Sequence, residues 1–173
     1  MSQLSSLSFN SSTDSSLLVR DVAGSYRPAE PAEVLQAALR VLAGQLRGTE
    51  MLSSPQAVRD FLRIKLGTLE HEVFAVIHLD AQHRVIEYVE MFRGTVTQTS
   101  VYPREVVKEA MAHNTAAIVL VHNHPSGVAE PSRADEHLTQ TLKSALSLVD
   151  VRVIDHLIVA GPTILSFAER GLI

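Results

Sequence analysis

Apolar residues recur along this chain with two periods, and the switch between them organises it. Leu35, Leu39, Leu42 and Leu46 fall at i, i+4, i+7 and i+11, which predicts an amphipathic helix over 31–47. Ser54-Pro55 reads as an N-cap followed by proline at the first helical position. The helix it opens carries Val58, Phe61, Leu62 and Leu66 on one side and stops at Gly67. Over 72–79 the chain becomes β-branched, aromatic and nearly continuous in apolar residues, as expected of a strand covered on both faces. Residues 80–83 form a turn, and 85–92 alternate roughly and pair back as a hairpin. Gly94 interrupts, and 95–101 is a further β-prone stretch. Pro103 opens a helix to about His113, with Val106, Val107, Ala110 and Met111 inward and Asn114 ending it. Residues 116–121 are a buried strand, and 122–131 a loop containing Pro125, Gly127 and Pro131. Ser132 opens the longest helix, to about Val149, with Ala134, Leu138, Leu142, Ala145 and Val149 on one stripe. Residues 151–154 and 157–160 are two short strands, and 164–173 is again partly apolar.

These elements predict a mixed α/β fold: a central β-sheet with two covering helices, preceded by a small helical segment. No internal repeat is present. Eight of the first 16 residues are Ser, and such a segment buries too little to offset its ordering entropy. The expected organisation is a Ser-rich disordered or loosely docked tail at 1–28, a helical lead-in at 29–66 and an α/β domain at 67–173.

Composition narrows the chemistry. With 173 residues the chain suits one domain, large enough to fold without staples. It has no Cys, which excludes disulfides, a thiolate nucleophile, iron–sulfur clusters and thiolate zinc sites. Any metal must therefore be held by carboxylate and by the 8 His. Fifteen basic against 19 acidic residues leave a net charge of −4, and the chain has no Trp. That balance argues against direct DNA binding, which needs a basic face to neutralise phosphates. The clean apolar run at 116–121 is far short of the ~20 residues of a membrane span. No apolar segment follows Met1 as in a secretory leader, so a soluble, cytoplasmic protein is expected.

The informative stretch runs from His122-Asn-His124 through Pro125-Ser-Gly127 to Ser132 and Asp135. Two His two residues apart at a strand end put both imidazoles on one side of the backbone, a chelating geometry. Asp135 lies one turn into the next helix, and the Pro- and Gly-containing loop can fold that turn back over the His pair. Two nitrogens and one oxygen leave a fourth tetrahedral position open, the arrangement of a catalytic rather than a structural zinc site. Ser132-x-x-Asp135 also reads as a helix capping box, which accounts for both residues without a metal. The two readings are compatible, since Ser132 can cap while Asp135 turns toward an ion.

The whole pattern resembles the JAMM motif of MPN-domain metalloproteases: His-x-His, seven residues, Ser, two residues, Asp, with Glu72 upstream at the start of a strand. Val101-Tyr-Pro-Arg-Glu-Val-Val-Lys108, His122-Asn-His-Pro-Ser-Gly127, Asp155-His-Leu-Ile-Val-Ala-Gly161 and Ser166-Phe-Ala-Glu-Arg-Gly-Leu172 together look like the RadC family, JAMM-like bacterial proteins traditionally labelled as DNA repair proteins. The resemblance covers about 55–173. It implies an MPN/cytidine-deaminase-like JAMM core and a Zn2+ ion held by His122, His124 and Asp135. It implies further that Glu72 takes a proton from the attacking water and passes it to the leaving amine, and that Ser132 helps stabilise the oxyanion. Glu70 has the same parity, but Glu72 stands two residues before Phe74, as in the RadC-like pattern. Two departures stand out. The helical sequence before the core shows no Gly-rich hairpin like the helix-hairpin-helix segment of full-length RadC-type proteins, so a likeness to the short RadC-like proteins often encoded on mobile elements is expected. The loop reads Gly127-Val-Ala-Glu-Pro131 where Gly-Asp-Pro-x-Pro is common.

The function that follows from the resemblance is zinc-dependent hydrolysis of peptide or isopeptide bonds in a peptide or protein substrate. The alternative is a non-catalytic accessory protein in DNA repair, recombination or mobile-element maintenance, acting through a protein partner. A metal-dependent nuclease ranks last, because two-metal nucleases need more converging carboxylates. Outside the motif, Asp155-His156 reads either as a pair orienting a ligand or, more ordinarily, as a structural pair. Asn123 is expected to face away from the metal and hold the loop, and His78 to be a partly buried structural residue. Arg93, Arg104 and Lys108 read as a solvated basic face.

Overall fold

A computed structural model describes residues 17–20, 22–48, 51, 55–94 and 101–173 of the chain. It divides into two units, Met1–Ala38 and Leu39–Ile173. In the first, β1 (Leu18–Arg20) and β2 (Tyr26–Pro28) pair antiparallel, so the latter part of the expected 1–28 tail carries a short ladder. The Ser-rich residues 1–16 lie outside the described residues. Helix α1 (Pro31–Leu46) starts where Arg27 bonds both carboxylate oxygens of Glu33, at 2.8 and 2.7 Å.

The second unit is built on a five-stranded sheet. Its elements are α2 (Pro55–Leu66), β3 (Val73–Leu79), β4 (Val85–Arg93), α3 (Pro103–Ala112), β5 (Ala117–Asn123), α4 (Arg133–Ser147), β6 (Arg152–Ala160) and β7 (Thr163–Ser166). The strand order is β4-β3-β5-β6-β7, antiparallel except for β5 and β6. That one parallel pair needs a crossover, and α4 supplies it. The mixed α/β class expected from the sequence is the one observed.

Strands β3 and β5 are central, and every residue of both is buried, which is why their sequences run apolar without alternation. Their faces separate by parity. Val73, Ala75, Ile77, Leu79, Ala117, Val119 and Val121 pack with Val58, Phe61, Leu62 and Leu66 of α2. Phe74, Val76, Ile118 and Leu120 pack with Val106 and Ala110 of α3 and Leu142 and Leu146 of α4. Within the helical lead-in 29–66, α2 covers one face of the sheet, and Leu39, Leu42 and Leu46 of α1 join the same core. Gly67 ends α2 where the backbone of Gly161 crosses closely; a Cβ there would meet Arg63 O at 2.5 Å and Gly161 O at 2.9 Å.

Several local expectations are corrected. Met111 of α3 is exposed, and only Val106 and Ala110 are buried. On α4 the buried residues are Thr139, Leu142 and Leu146, so the stripe is rotated from Ala134, which is exposed. Strand β5 runs on through His122 and Asn123, which pair within the sheet rather than opening the loop. Strand β6 is continuous where two short strands were expected, with a register shift opposite Ile118 and Val119 absorbing the irregularity. Ser54 and the β-prone residues 95–100 lie outside the described residues.

Candidate metal centre

The site forms where β5 ends and α4 begins. His122 has the parity of Ile118 and Leu120, so its ring points to the sheet face that carries α4. His124, two residues on, falls on the same side just past the strand end. Their Nε2 atoms are 2.9 Å apart. Asp135 enters from the first turn of α4, with Oδ1 3.3 Å from His122 Nε2 and Oδ2 3.6 Å from His124 Nε2. Among the described residues these three make the metal-competent group, with ligand atoms all within 4.8 Å of one another.

The donor set fits a zinc ion. Ligand atoms about 2.0–2.1 Å from a tetrahedral ion sit roughly 3.3 Å apart, close to the spacings here. The His124 ring is oriented by its Nδ1, which donates to the Val128 carbonyl at 2.7 Å. A carbonyl can only accept, so Nδ1 carries the proton and Nε2 is left with its lone pair toward the cluster. Two imidazole nitrogens and a carboxylate converging on one point suit a cation, and in its absence a proton on one imidazole can link them. The loop residues Pro125, Ser126 and Gly127 turn the chain so that Val128 reaches back to His124; Gly127 holds φ 76°, a conformation suited to glycine, and its N–H bonds His124 O at 3.0 Å.

Charge reinforces the cluster. Burial pushes the Asp135 carboxyl up, but the neighbouring His122 and His124 rings and the bond from Ser132 outweigh it and hold the group far below the usual carboxylate range. The Asp135 carboxylate beside it raises the His124 pKa against the effect of burial, and Glu72 adds to that rise. Ser132 is the N-cap of α4 and completes a capping box. Its Oγ accepts from Asp135 N at 3.2 Å and donates to Asp135 Oδ2 at 2.7 Å, and its backbone N–H donates to the same oxygen at 2.7 Å.

Glu72 stands just before β3. Phe74 pairs with His122 in the antiparallel β3–β5 register, and continuing that register two residues sets Glu72 opposite His124. Its backbone is held on both sides. Gly94 N donates to Glu72 O at 2.8 Å, Val73 N donates to Asn123 Oδ1 at 2.7 Å, and Asn123 Nδ2 donates to His71 O at 3.0 Å. The buried Asn123 therefore faces away from the cluster, as expected, and braces the residues flanking Glu72.

Asp155 and His156 do not pair through their side chains. The Asp155 carboxylate accepts from the His156 backbone N–H at 2.7 Å, Ser166 Oγ at 2.7 Å and Ala168 N at 2.9 Å, tying β6 to the C-terminal segment. Burial nevertheless raises its pKa. The His156 ring turns the other way, with Nε2 2.8 Å from His122 Nδ1 and Nδ1 2.6 Å from Thr139 Oγ1. Burial pushes its pKa well below that of a free imidazole. Thr139 gave no signal in the sequence beyond being a polar residue one step off an apolar stripe. Arg104 and Lys108 pair with Glu105 on an exposed helix face. Among the described residues no helix is long and apolar enough to cross a membrane.

A mixed sheet whose central strand ends in His-x-His, completed by an aspartate from the first turn of the next helix, is a JAB-type, MPN-like domain. The chain belongs to the RadC family: residues 52–172 match the model described as the RadC-like JAB domain. It is 61% identical over 150 residues to a UPF0758 protein of Leptothrix cholodnii, covering 87% of this chain and 68% of that protein. The UPF0758 protein of Methylibium petroleiphilum matches to the same extent, and that of Polaromonas sp. is 59% identical over 150 residues with 67% of its length covered. This chain thus spans about two thirds of the length of each.

Proposed function

We propose that this protein is a zinc-dependent hydrolase of peptide or isopeptide bonds working in the JAMM manner. The observation that carries the reading is the convergence of His122 Nε2, His124 Nε2 and the Asp135 carboxylate on one point, beside Glu72. His122, His124 and Asp135 would hold the ion. Zinc at such a site acts as a Lewis acid on a scissile carbonyl and makes water a nucleophile near neutral pH.

The remaining work falls to the chain's own groups. The Glu72 carboxylate takes a proton from the attacking water and delivers it to the leaving amine. Gly94 and Asn123 fix the backbone around it, which keeps that carboxylate in place without a loop rearrangement. The Ser132 hydroxyl rotates from Asp135 Oδ2 to donate to the developing oxyanion. The substrate is a peptide or protein.

The test is zinc content together with cleavage of a peptide library and of isopeptide-linked peptides. Glu72→Gln is expected to keep the metal and abolish hydrolysis, whereas His122→Ala and Asp135→Ala lose the metal. Equal metal loss in all three would sink the division of roles. Stoichiometric zinc without cleavage of any substrate would favour an accessory protein instead.

A further inference from the structure

The side chains of His122 and Thr139 are joined through His156, and the direction of that chain of hydrogen bonds decides which nitrogen of His122 is free. Thr139 Oγ1 lies 2.6 Å from the Asp135 carbonyl oxygen and 2.6 Å from His156 Nδ1. The carbonyl only accepts, and a threonine inside a helix ordinarily donates its hydroxyl proton to the carbonyl four residues back. Thr139 then has only lone pairs to offer His156, so His156 Nδ1 must carry its proton. A neutral imidazole has one N–H, so His156 Nε2 is an acceptor and His122 Nδ1 must donate to it across 2.8 Å. What remains on His122 is Nε2 with a bare lone pair, aimed at the cluster.

The reverse direction satisfies the same distances with the opposite outcome. If Thr139 donated to His156, every proton would shift along the chain and His122 Nε2 would be protonated, unable to bind a metal. The bond to the Asp135 carbonyl therefore selects the competent tautomer.

We propose that Thr139 and His156 are positioning residues that hold His122 in its metal-binding tautomer, closing a hydrogen-bonded loop from one ligand, His122, to the backbone of another, Asp135. This rests on the metal site of the proposed function. His124 reaches the same tautomer through the Val128 carbonyl, so the two ligands are prepared alike by different partners. His156 is suited to the task by its surroundings. It is fully buried, with Phe167 4.7 Å and Phe74 6.1 Å away between ring centroids, so water cannot take over its bonds. The loop draws on β5, β6 and α4, which fixes the start of α4, and with it Asp135, relative to the end of β5.

The experiment uses the full chain and the zinc ion itself. Thr139→Val is nearly isosteric and removes only the hydroxyl. Zinc affinity from chelator competition is expected to fall by roughly tenfold in Thr139→Val and roughly 10- to 100-fold in His156→Leu, the range for groups that orient ligands. Thr139→Ser should restore it to within about twofold of wild type. Long-range 1H–15N spectra of the imidazoles in the metal-free protein should show His122 protonated at Nδ1 in wild type and Thr139→Ser, and a shift toward Nε2 in Thr139→Val. Unchanged zinc affinity in Thr139→Val, failure of Thr139→Ser to restore it, or a wild-type His122 protonated at Nε2 would each overturn the proposal. Should His156→Leu not fold, the two threonine variants decide. If wild type takes up no zinc, the functional reading fails while the tautomer of His122 still decides this one. If it takes up zinc and cleaves nothing, only the functional reading is at stake.

Discussion

Ser132 and Asp135 exchange hydrogen bonds in both directions, while the other carboxylate oxygen of Asp135 lies 3.3 Å from His122 Nε2. One carboxylate thus faces the histidine pair with both oxygens, Oδ1 toward His122 and Oδ2 toward His124, while Oδ2 also closes the helix cap. The capping reading of this Ser-x-x-Asp turn is observed, and it leaves Asp135 facing the two histidines, so the cap is compatible with the proposed metal site. Loss of an N-cap hydroxyl costs about 1 kcal/mol. Ser132→Ala is therefore expected to lower the stability of the metal-free protein by about that amount. It should also reduce peptide cleavage by at least ~10-fold through loss of the oxyanion donor. Zinc binding should weaken less than in Asp135→Ala. Urea unfolding of the metal-free variant, zinc competition and initial rates separate the three effects.

Asn123 braces the residues around Glu72 rather than the two histidines between which it sits. Its side chain closes two bonds to residues 71 and 73, either side of Glu72. Asn123→Ala leaves the Val73 N–H buried without a partner, which costs about 1–3 kcal/mol. Cleavage should fall further than that stability loss explains, because Glu72 loses its brace, while zinc affinity stays within a few-fold of wild type. A variant that loses zinc as completely as His122→Ala would show that Asn123 supports the ligands instead.

Gly67 marks a close crossing between the end of α2 and the turn after β6. A methyl group there would sit 2.5 Å from Arg63 O and 2.9 Å from Gly161 O, and both obstacles are backbone. Gly67→Ala should destabilise by about 1–3 kcal/mol, as overpacked interiors do, although alanine favours helix over glycine. Thermal unfolding measures it. A rise in melting temperature would mean that the turn at Gly161 gives way freely.

The convergence of His122, His124 and Asp135 was legible in the sequence because spacing sets geometry: two residues along a strand and one turn into a helix are fixed by backbone periodicity. The buried faces of α2, β3 and β5 were legible for the same reason, since Val58, Phe61, Leu62 and Leu66 recur at helical spacing. Two kinds of information were not. Thr139 is a polar residue one step off the apolar stripe read from the sequence, and its hydroxyl makes sense only beside His156, 17 residues away on another element. Likewise the extension of β5 through His122 depends on partners supplied by β3 and β6, which no local propensity records. Asp155-His156 shows both limits: adjacent residues suggested a pair, but alternation along β6 sends their side chains to different partners.

His78 offers a test of burial through pH. Its ring is fully buried on β3, stacked 4.5 Å from His113, with Nδ1 2.9 Å from Thr115 Oγ1 and Nε2 without a partner. Glu109 is bonded to His113 Nε2 at 3.0 Å and its charge also acts on His78. Burial, with the charge of His113 added, lowers the His78 pKa from 6.5 to about 4, against a small opposing pull from Glu109. Between those values the unfolded chain binds the proton and the folded chain does not, so stability falls as pH drops from about 6.5 to about 4 and the loss from this group is complete below. At 1.36 kcal/mol per pKa unit the whole effect is about 3–4 kcal/mol, of which roughly 2–3 kcal/mol is already lost at pH 4.5. Urea denaturation at pH 7.5 and pH 4.5 should show a larger stability difference for wild type than for His78→Leu, by an amount of that order. Equal differences in the two proteins would mean that His78 takes up its proton in the folded state, with the partnerless Nε2 reaching water through local opening.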